Sequence, residues 1–127
     1  MKLRIKGNSL RLRVLRSELT SLLDGGRIEE TIHFSALPEA KLTYALGSAV
    51  QSAPVSIEYG PQAVTVVLSK DQVCVWGSEG EVGVYGELDN GDVGLLEVIV
   101  EKDFACLDRS DEDNIDTFAN PHAGTTC

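Results

Sequence analysis

Five cations that alternate with apolar residues give the start of this chain its clearest chemical potential. Residues 2–6 read Lys-Leu-Arg-Ile-Lys and residues 10–14 read Leu-Arg-Leu-Arg-Val, on either side of Gly7-Asn8-Ser9. Strict alternation is typical of half-buried strands, and Gly and Asn tolerate the positive φ of a tight turn. The pattern predicts a hairpin with its cations on one side, called here the cationic face. Its members are Lys2, Arg4, Lys6, Arg11 and Arg13.

Such a face could bind an anionic ligand, because arginine forks match phosphate and carboxylate groups. The sequence therefore predicts a site for a phosphorylated metabolite, a nucleotide or an acidic protein partner. The more ordinary alternative is that acidic strands of the same fold cover the cations. Each such ion pair would stabilise the fold by ~0.2–1 kcal/mol. Four carboxylates are available for that role: Glu58, Glu97, Glu101 and Asp103.

The C-terminal segment holds a second set of reactive side chains, Cys106, His122 and Cys127. Thiolates and imidazoles are zinc ligands, and Asp108 or Asp116 could complete a tetrahedral site. The spacing lacks a Cys-x2-Cys knuckle, and the alternative is that the C-terminal Cys127 is a mobile free thiol. The acidic run between these residues lacks the glycine and glutamate of a calcium-binding EF-hand loop. We expect instead that it is solvated or docks onto the cationic hairpin.

The elements that position these residues occur twice along the chain. Residues 14–18 (Val-Leu-Arg-Ser-Glu) correspond to residues 67–71 (Val-Leu-Ser-Lys-Asp), 53 positions later. Each unit reads strand, strand, short helix, strand, strand, and such a fixed spacing predicts a duplicated architecture. The units cover about 1–50 and 54–104 of a single domain, and an acidic tail covers 105–127.

Eight strands and two short helices, joined mostly by tight turns, predict an α+β domain that is mainly antiparallel. Two packed sheets and a closed barrel are both compatible with this pattern. Ser17 and Ser69 are expected to cap the two helices. Cys74, in the second helix, is expected to be a small buried residue.

The composition of the chain limits the classes of function that it can have. The net charge of −9 argues against general nucleic-acid binding. The charge is uneven, at +5 over residues 1–27 and −14 over the remainder. The sequence has no membrane-spanning apolar run, no secretory h-region and three widely spaced cysteines, so a cytoplasmic protein is expected. No catalytic motif is recognisable, and an enzyme would need a polar site enclosed by a barrel.

Two stretches resemble a family of small bacterial proteins of unknown function. The first is residues 1–13, MKLRIKGNSLRLR. The second is residues 100–107, VEKDFACL, followed by Glu112-Asp113, Phe118 and Asn120-Pro121. The resemblance runs along the whole chain and implies a bacterial, cytoplasmic, single-domain protein. It implies no activity, cofactor or site, so a binding or interaction module is the leading hypothesis, ahead of a zinc protein and an enzyme.

Overall fold

The computed structural model describes residues 1–78, 80–105, 112 and 114–119. Within them, the chain forms eight strands and two α-helices in the predicted order. The first half contains β1 (Lys2–Lys6), β2 (Ser9–Val14), α1 (Arg16–Leu23), β3 (Ile28–His33) and β4 (Lys41–Ala49). The second half contains β5 (Val55–Gly60), β6 (Ala63–Ser69), α2 (Lys70–Trp76), β7 (Gly83–Asp89) and β8 (Leu95–Lys102). The predicted fold class is confirmed.

The strands form two four-stranded sheets, and each sheet takes one hairpin from each half. Sheet A has the order β1-β2-β8-β7, and sheet B has the order β3-β4-β6-β5. Every hairpin is antiparallel, whereas the central pairs β2·β8 and β4·β6 are parallel. Exchanging the two halves converts the strand order of one sheet into that of the other. Of the two architectures left open by the sequence, the chain adopts two packed sheets.

One apolar core lies between the sheets. The central strands contribute alternate side chains to it, as the period of a strand requires. The most deeply buried of these are Leu12, Val14, Leu46, Val66, Leu68, Val98 and Val100. Each contributes about 1.5–3 kcal/mol by leaving water. Within the described residues this interior is filled by apolar side chains, so they enclose no barrel lumen for a polar site.

The two helices contact each other and turn their apolar sides to the core. Helix α1 buries Leu19 and Leu22, and α2 buries Val73 and Trp76. The indole of Trp76 donates a hydrogen bond of 3.0 Å to the carbonyl of Val82. Because Val73 and Trp76 take the inward positions of this short helix, Cys74 points outward and is exposed. The expectation that Cys74 is buried was wrong.

The helix caps follow the prediction at α2 and depart from it at α1. The hydroxyl of Ser69 accepts a hydrogen bond of 3.1 Å from the amide of Gln72, which confirms the α2 cap. At α1 the N-cap is Leu15, and the carboxylate of Glu18 accepts a hydrogen bond of 2.9 Å from the Leu15 amide. Ser17 therefore lies inside the first turn, and its predicted capping role was wrong.

The described part of the C-terminal segment packs where β8 ends and α1 begins. The amide of Ala105 donates to the carbonyl of Phe118 at 2.8 Å, and the Phe118 amide donates to the Asp103 carbonyl at 2.8 Å. The carboxylate of Asp116 accepts hydrogen bonds from the amide of Ser17, at 3.2 Å, and from the Ser17 hydroxyl. Asp116 therefore contacts the start of α1, whereas Asp108, Asp111 and Asp113 lie outside the described residues, so docking of the acidic run onto the cationic hairpin stays a prediction.

Candidate functional site

The β1–β2 hairpin places the cationic face on the outer side of sheet A. Lys2 lies opposite Arg13, Arg4 opposite Arg11, and Lys6 opposite Ser9. Directly opposite residues of an antiparallel pair share a face, so all five cations project together. The intervening Leu10, Leu12 and Val14 of β2 are buried on the inner side. The turn depends on Gly7, which has a φ of +55°.

The parallel pairing of β2 with β8 continues this outer face with acidic residues. Arg13 lies beside Glu101, and Ser9 lies beside Glu97. On the next strand, Glu87 of β7 lies opposite Glu97. We call Glu87, Glu97 and Glu101 the acidic strip. The cationic face and the acidic strip are therefore the two halves of one sheet surface.

Ion pairs neutralise only part of the cationic face. The Nε of Arg11 lies 3.3 Å from a carboxylate oxygen of Glu101, and the Nζ of Lys2 lies 3.1 Å from a carboxylate oxygen of the buried Asp103. Glu101 and Asp103 are two of the four carboxylates that were expected to cover the cations if the face binds no ligand. Glu58, a third suggested partner, lies on β5 in the other sheet.

The remaining cations of the face are Arg4, Lys6 and Arg13. Among the residues that the structure describes, no carboxylate lies within 4.0 Å of the charged nitrogens of Arg4, Lys6 or Arg13. Arg4 and Lys6 are exposed, and Arg13 is half-buried. Within the described residues, Arg4 and Lys6 therefore leave uncompensated positive charge in the half of the hairpin towards its turn, and Arg13 does so at the other end.

A shallow pocket of about 130 Å³ lies at this end of the hairpin. Arg4, Lys6, Ser9, Arg11 and Ile99 line it. Three positively charged side chains and one hydroxyl thus surround a space with a single aliphatic wall. Sequence reasoning found the three cations but missed Ser9 and Ile99, because their places depend on the register of β2 against β8.

Glu101 links the pocket to Tyr85. The hydroxyl of Tyr85 donates a hydrogen bond of 3.4 Å to the carboxylate oxygen of Glu101 that does not contact Arg11. Burial raises the pKa of Tyr85, and the negative charge of Glu101 raises it further. The phenol therefore stays protonated and remains a hydrogen-bond donor to Glu101. Periodicity gives no signal for this contact, which also depends on strand order.

A second polar cluster, which sequence reasoning missed, surrounds the amino group of Met1. That group lies 2.7 Å from a carboxylate oxygen of Glu18 and 3.4 Å from one of Glu30. Burial raises the pKa of nearby Tyr44, and the charge of Glu30 raises it further. Glu18 also binds the amide of Leu15, so this cluster holds β1, α1 and β3 together.

The predicted metal ligands Cys106, His122 and Cys127 lie outside the described residues. The zinc site therefore stays a prediction. The described ranges contain no group of three or more histidine, cysteine, aspartate or glutamate residues arranged to hold a metal ion. Neither of the helices in those ranges is long and apolar enough to span a membrane.

Comparison with known proteins identifies a family but no activity. A family model described as a family of unknown function matches residues 1–122 of the chain. This confirms the resemblance found at the two ends of the sequence. The chain matches no curated protein and no solved structure.

Proposed function

The chain belongs to the family of unknown function DUF7009, and since that membership supplies no activity, we propose from the geometry that it is a binding module for anionic groups. The cationic face is the proposed binding surface. Its pocket between Arg4, Lys6 and Arg11 is the proposed anchor for a phosphate or carboxylate group.

One observation supports this proposal above the others. Arg4 and Lys6 line a pocket beside Arg11, and neither contacts a carboxylate in the described part of the chain. Closely spaced cations repel one another, and an anion among them removes that repulsion. Guanidinium groups supply paired donors for the oxygens of such an anion, and the hydroxyl of Ser9 supplies another.

The size of the pocket limits the kind of ligand that it can hold. A volume of about 130 Å³ is well below the roughly 300–1,000 Å³ of pockets that enclose drug-sized molecules. It suits one anionic group and leaves the rest of the ligand outside. The proposal therefore favours a partner that presents phosphate or carboxylate groups at its surface over a small molecule that is buried whole.

We also propose the setting that the sequence suggested, a bacterial cytoplasmic protein. Three cysteines without a disulfide-framework spacing suit a reducing compartment. The exchanged strand order of the two sheets supports the further proposal that residues 1–50 and 54–104 derive from one duplicated unit. The acidic composition favours protein or metabolite partners over nucleic acid.

Isothermal titration calorimetry with inorganic pyrophosphate tests the anchor. The wild-type chain is expected to bind, and Arg4→Gln combined with Lys6→Gln is expected to weaken binding by roughly tenfold or more, since charge-assisted contacts contribute about 1.5–3 kcal/mol each. A matched control removes two exposed cations elsewhere, Lys41→Gln on β4 and Lys70→Gln on α2.

The control keeps the change in net charge the same and leaves the cationic face intact. Equal affinity in the two double variants would show that pyrophosphate responds only to overall charge and would overturn the proposed site. Retained folding is verified by circular dichroism, and it is expected because Arg4, Lys6, Lys41 and Lys70 are all exposed.

A further inference from the structure

Each half of the outer face of sheet A brings together charges of the same sign. On the β1–β2 side, Arg4 lies directly opposite Arg11. On the β7–β8 side, Glu87 lies directly opposite Glu97. Like charges in directly opposite positions destabilise a sheet. Anions that approach from outside would therefore stabilise the β1–β2 half, and cations would stabilise the β7–β8 half.

Apolar side chains lie among the charges of the β7–β8 half. Ile99 of β8 lies beside Arg11 on one side and opposite Tyr85 of β7 on the other. Tyr85 is 57% exposed, and Leu95, further along β8, is 54% exposed. Ile99 and Tyr85 lie between the register rows of Glu97 and Glu101, and aromatic and aliphatic residues within a polar rim are the usual composition of a protein interface. The face therefore suits another protein surface of the same size.

We propose that the occupant of this face is the same face of a second copy of the chain. The two copies are related by a two-fold axis that lies between them and runs parallel to the strands. This inference rests on the proposed function, because it names the acidic strip of the second copy as the source of the anionic groups.

The charge distribution selects this axis. A rotation about it places β1 of each copy over β7 of the other, and β2 over β8, so the cationic face meets the acidic strip twice. A two-fold axis running across the strands would place β1 over β1 and bring the cations together. A two-fold contact uses the same patch on both copies, and this patch is complementary to itself.

Sedimentation velocity of the wild-type chain over a range of concentrations gives the first test. We expect a reversible monomer–dimer equilibrium that shifts towards monomer as ionic strength rises, because salt screens exposed charges. Added pyrophosphate should also shift it towards monomer, since the anion competes for Arg4 and Lys6. A wild-type chain that stays monomeric at low ionic strength would overturn the inference.

Charge reversal then tests the surface and the axis. One variant combines Arg4→Glu with Lys6→Glu, and the other combines Glu87→Lys with Glu97→Lys. Each variant alone places like charges over like charges, so its dimer dissociation constant should rise by roughly tenfold or more. An equimolar mixture should form a heterodimer, because the reversed β1 strand of one copy then meets the reversed β7 strand of the other.

Homodimers of both variants with wild-type affinity would show that a dimer uses another surface, and would overturn the inference. Absence of the heterodimer would do the same. A monomeric wild type that still binds pyrophosphate through Arg4 and Lys6 would refute the dimer while leaving the proposed function standing. Formation of the charge-swapped heterodimer, together with failure of the wild-type chain to bind pyrophosphate, would refute the anion pocket alone.

Discussion

The carboxylate of Glu101 lies 3.3 Å from the Nε of Arg11 and so neutralises the central cation of the pocket. The two residues are far apart in the chain, and the parallel register of β2 on β8 brings them together. The side chain of Arg11 is 32% exposed and that of Glu101 is 20% exposed, so an external anion can compete for the guanidinium group. Glu101 therefore limits how strongly Arg11 binds a ligand.

Replacing Glu101 with glutamine should strengthen pyrophosphate binding. The amide keeps the size of the side chain and removes the negative charge that competes for Arg11. We expect the affinity to rise by roughly two- to fivefold, in line with the ~0.2–1 kcal/mol of an exposed ion pair. Calorimetry measures the change, and Glu58→Gln on β5 of the other sheet serves as the control. Unchanged or weaker binding would contradict a competing role for Glu101.

The two perturbed tyrosines should make the fold less stable at high pH. Burial raises the pKa of Tyr44 and Tyr85, and Glu30 and Glu101 respectively raise it further. Above the ordinary value of 10.0, the unfolded chain loses these phenolic protons before the folded chain does. The free energy of unfolding should therefore fall as pH rises through that range.

Urea unfolding at about pH 9 and about pH 11 measures this decrease. The double variant Tyr44→Phe/Tyr85→Phe carries neither phenol, so its stability should fall less between the two conditions. A decrease as large as that of the wild type would assign the pH dependence to other groups.

The sequence predicted the local structure well because period-2 alternation, turn residues and helix caps all act over short distances. The five cations share one face, as Lys2-Leu3-Arg4-Ile5-Lys6 and the following strand required. Strand order could not be derived in the same way. Whether β2 pairs with β8 or with another strand depends on which apolar surfaces pack together. Local sequence patterns therefore did not indicate that Ile99 lines the pocket or that Tyr85 lies beside it.

The cap of α1 shows a similar limit. Ser17 and Ser69 were both predicted to cap a helix, but only Ser69 does so. In the first half the Leu15 amide binds Glu18, whose second oxygen lies 2.7 Å from the Met1 amino group. A tertiary contact from Met1 thus favours a helix start two residues before the predicted cap, which local propensity cannot indicate.

The contact between β5 and β7 should not tolerate an added methyl group. A Cβ at Gly86 would lie 3.1 Å from the Cβ of Val55. Gly86→Ala should therefore lower the free energy of unfolding by about 1–3 kcal/mol in urea titrations. Gly47→Ala on β4 is the matched control, because its Cβ would meet no atom of the described residues within 4 Å. The control should be neutral or slightly stabilising.

A double-mutant cycle isolates the same contact. Val55→Ala keeps the Cβ but removes the Cγ2 that would lie 3.2 Å from the added methyl group, so Gly86→Ala should cost less in that background than in the wild type. Additive costs would mean that the effect of Gly86→Ala arises elsewhere in β7.

The C-terminal segment should protect the start of α1. Asp116 has a φ of +62°, which glycine and asparagine adopt readily. Its carboxylate accepts a hydrogen bond from the Ser17 amide. Asp116→Gly keeps the backbone conformation and removes the acceptor, so hydrogen exchange of the Ser17 amide should become faster. Asp116→Asn retains an acceptor oxygen and should preserve protection. Equal exchange in the two variants would contradict the capping role of Asp116.

An NMR titration of the 15N-labelled chain with pyrophosphate would locate anion binding on the cationic face residue by residue. We expect the largest amide shifts on Ser9, Arg11 and Ile99, around the pocket, and we expect Arg4→Gln combined with Lys6→Gln to remove them. Shifts centred on sheet B, or unchanged shifts at the pocket in that variant, would contradict this expectation.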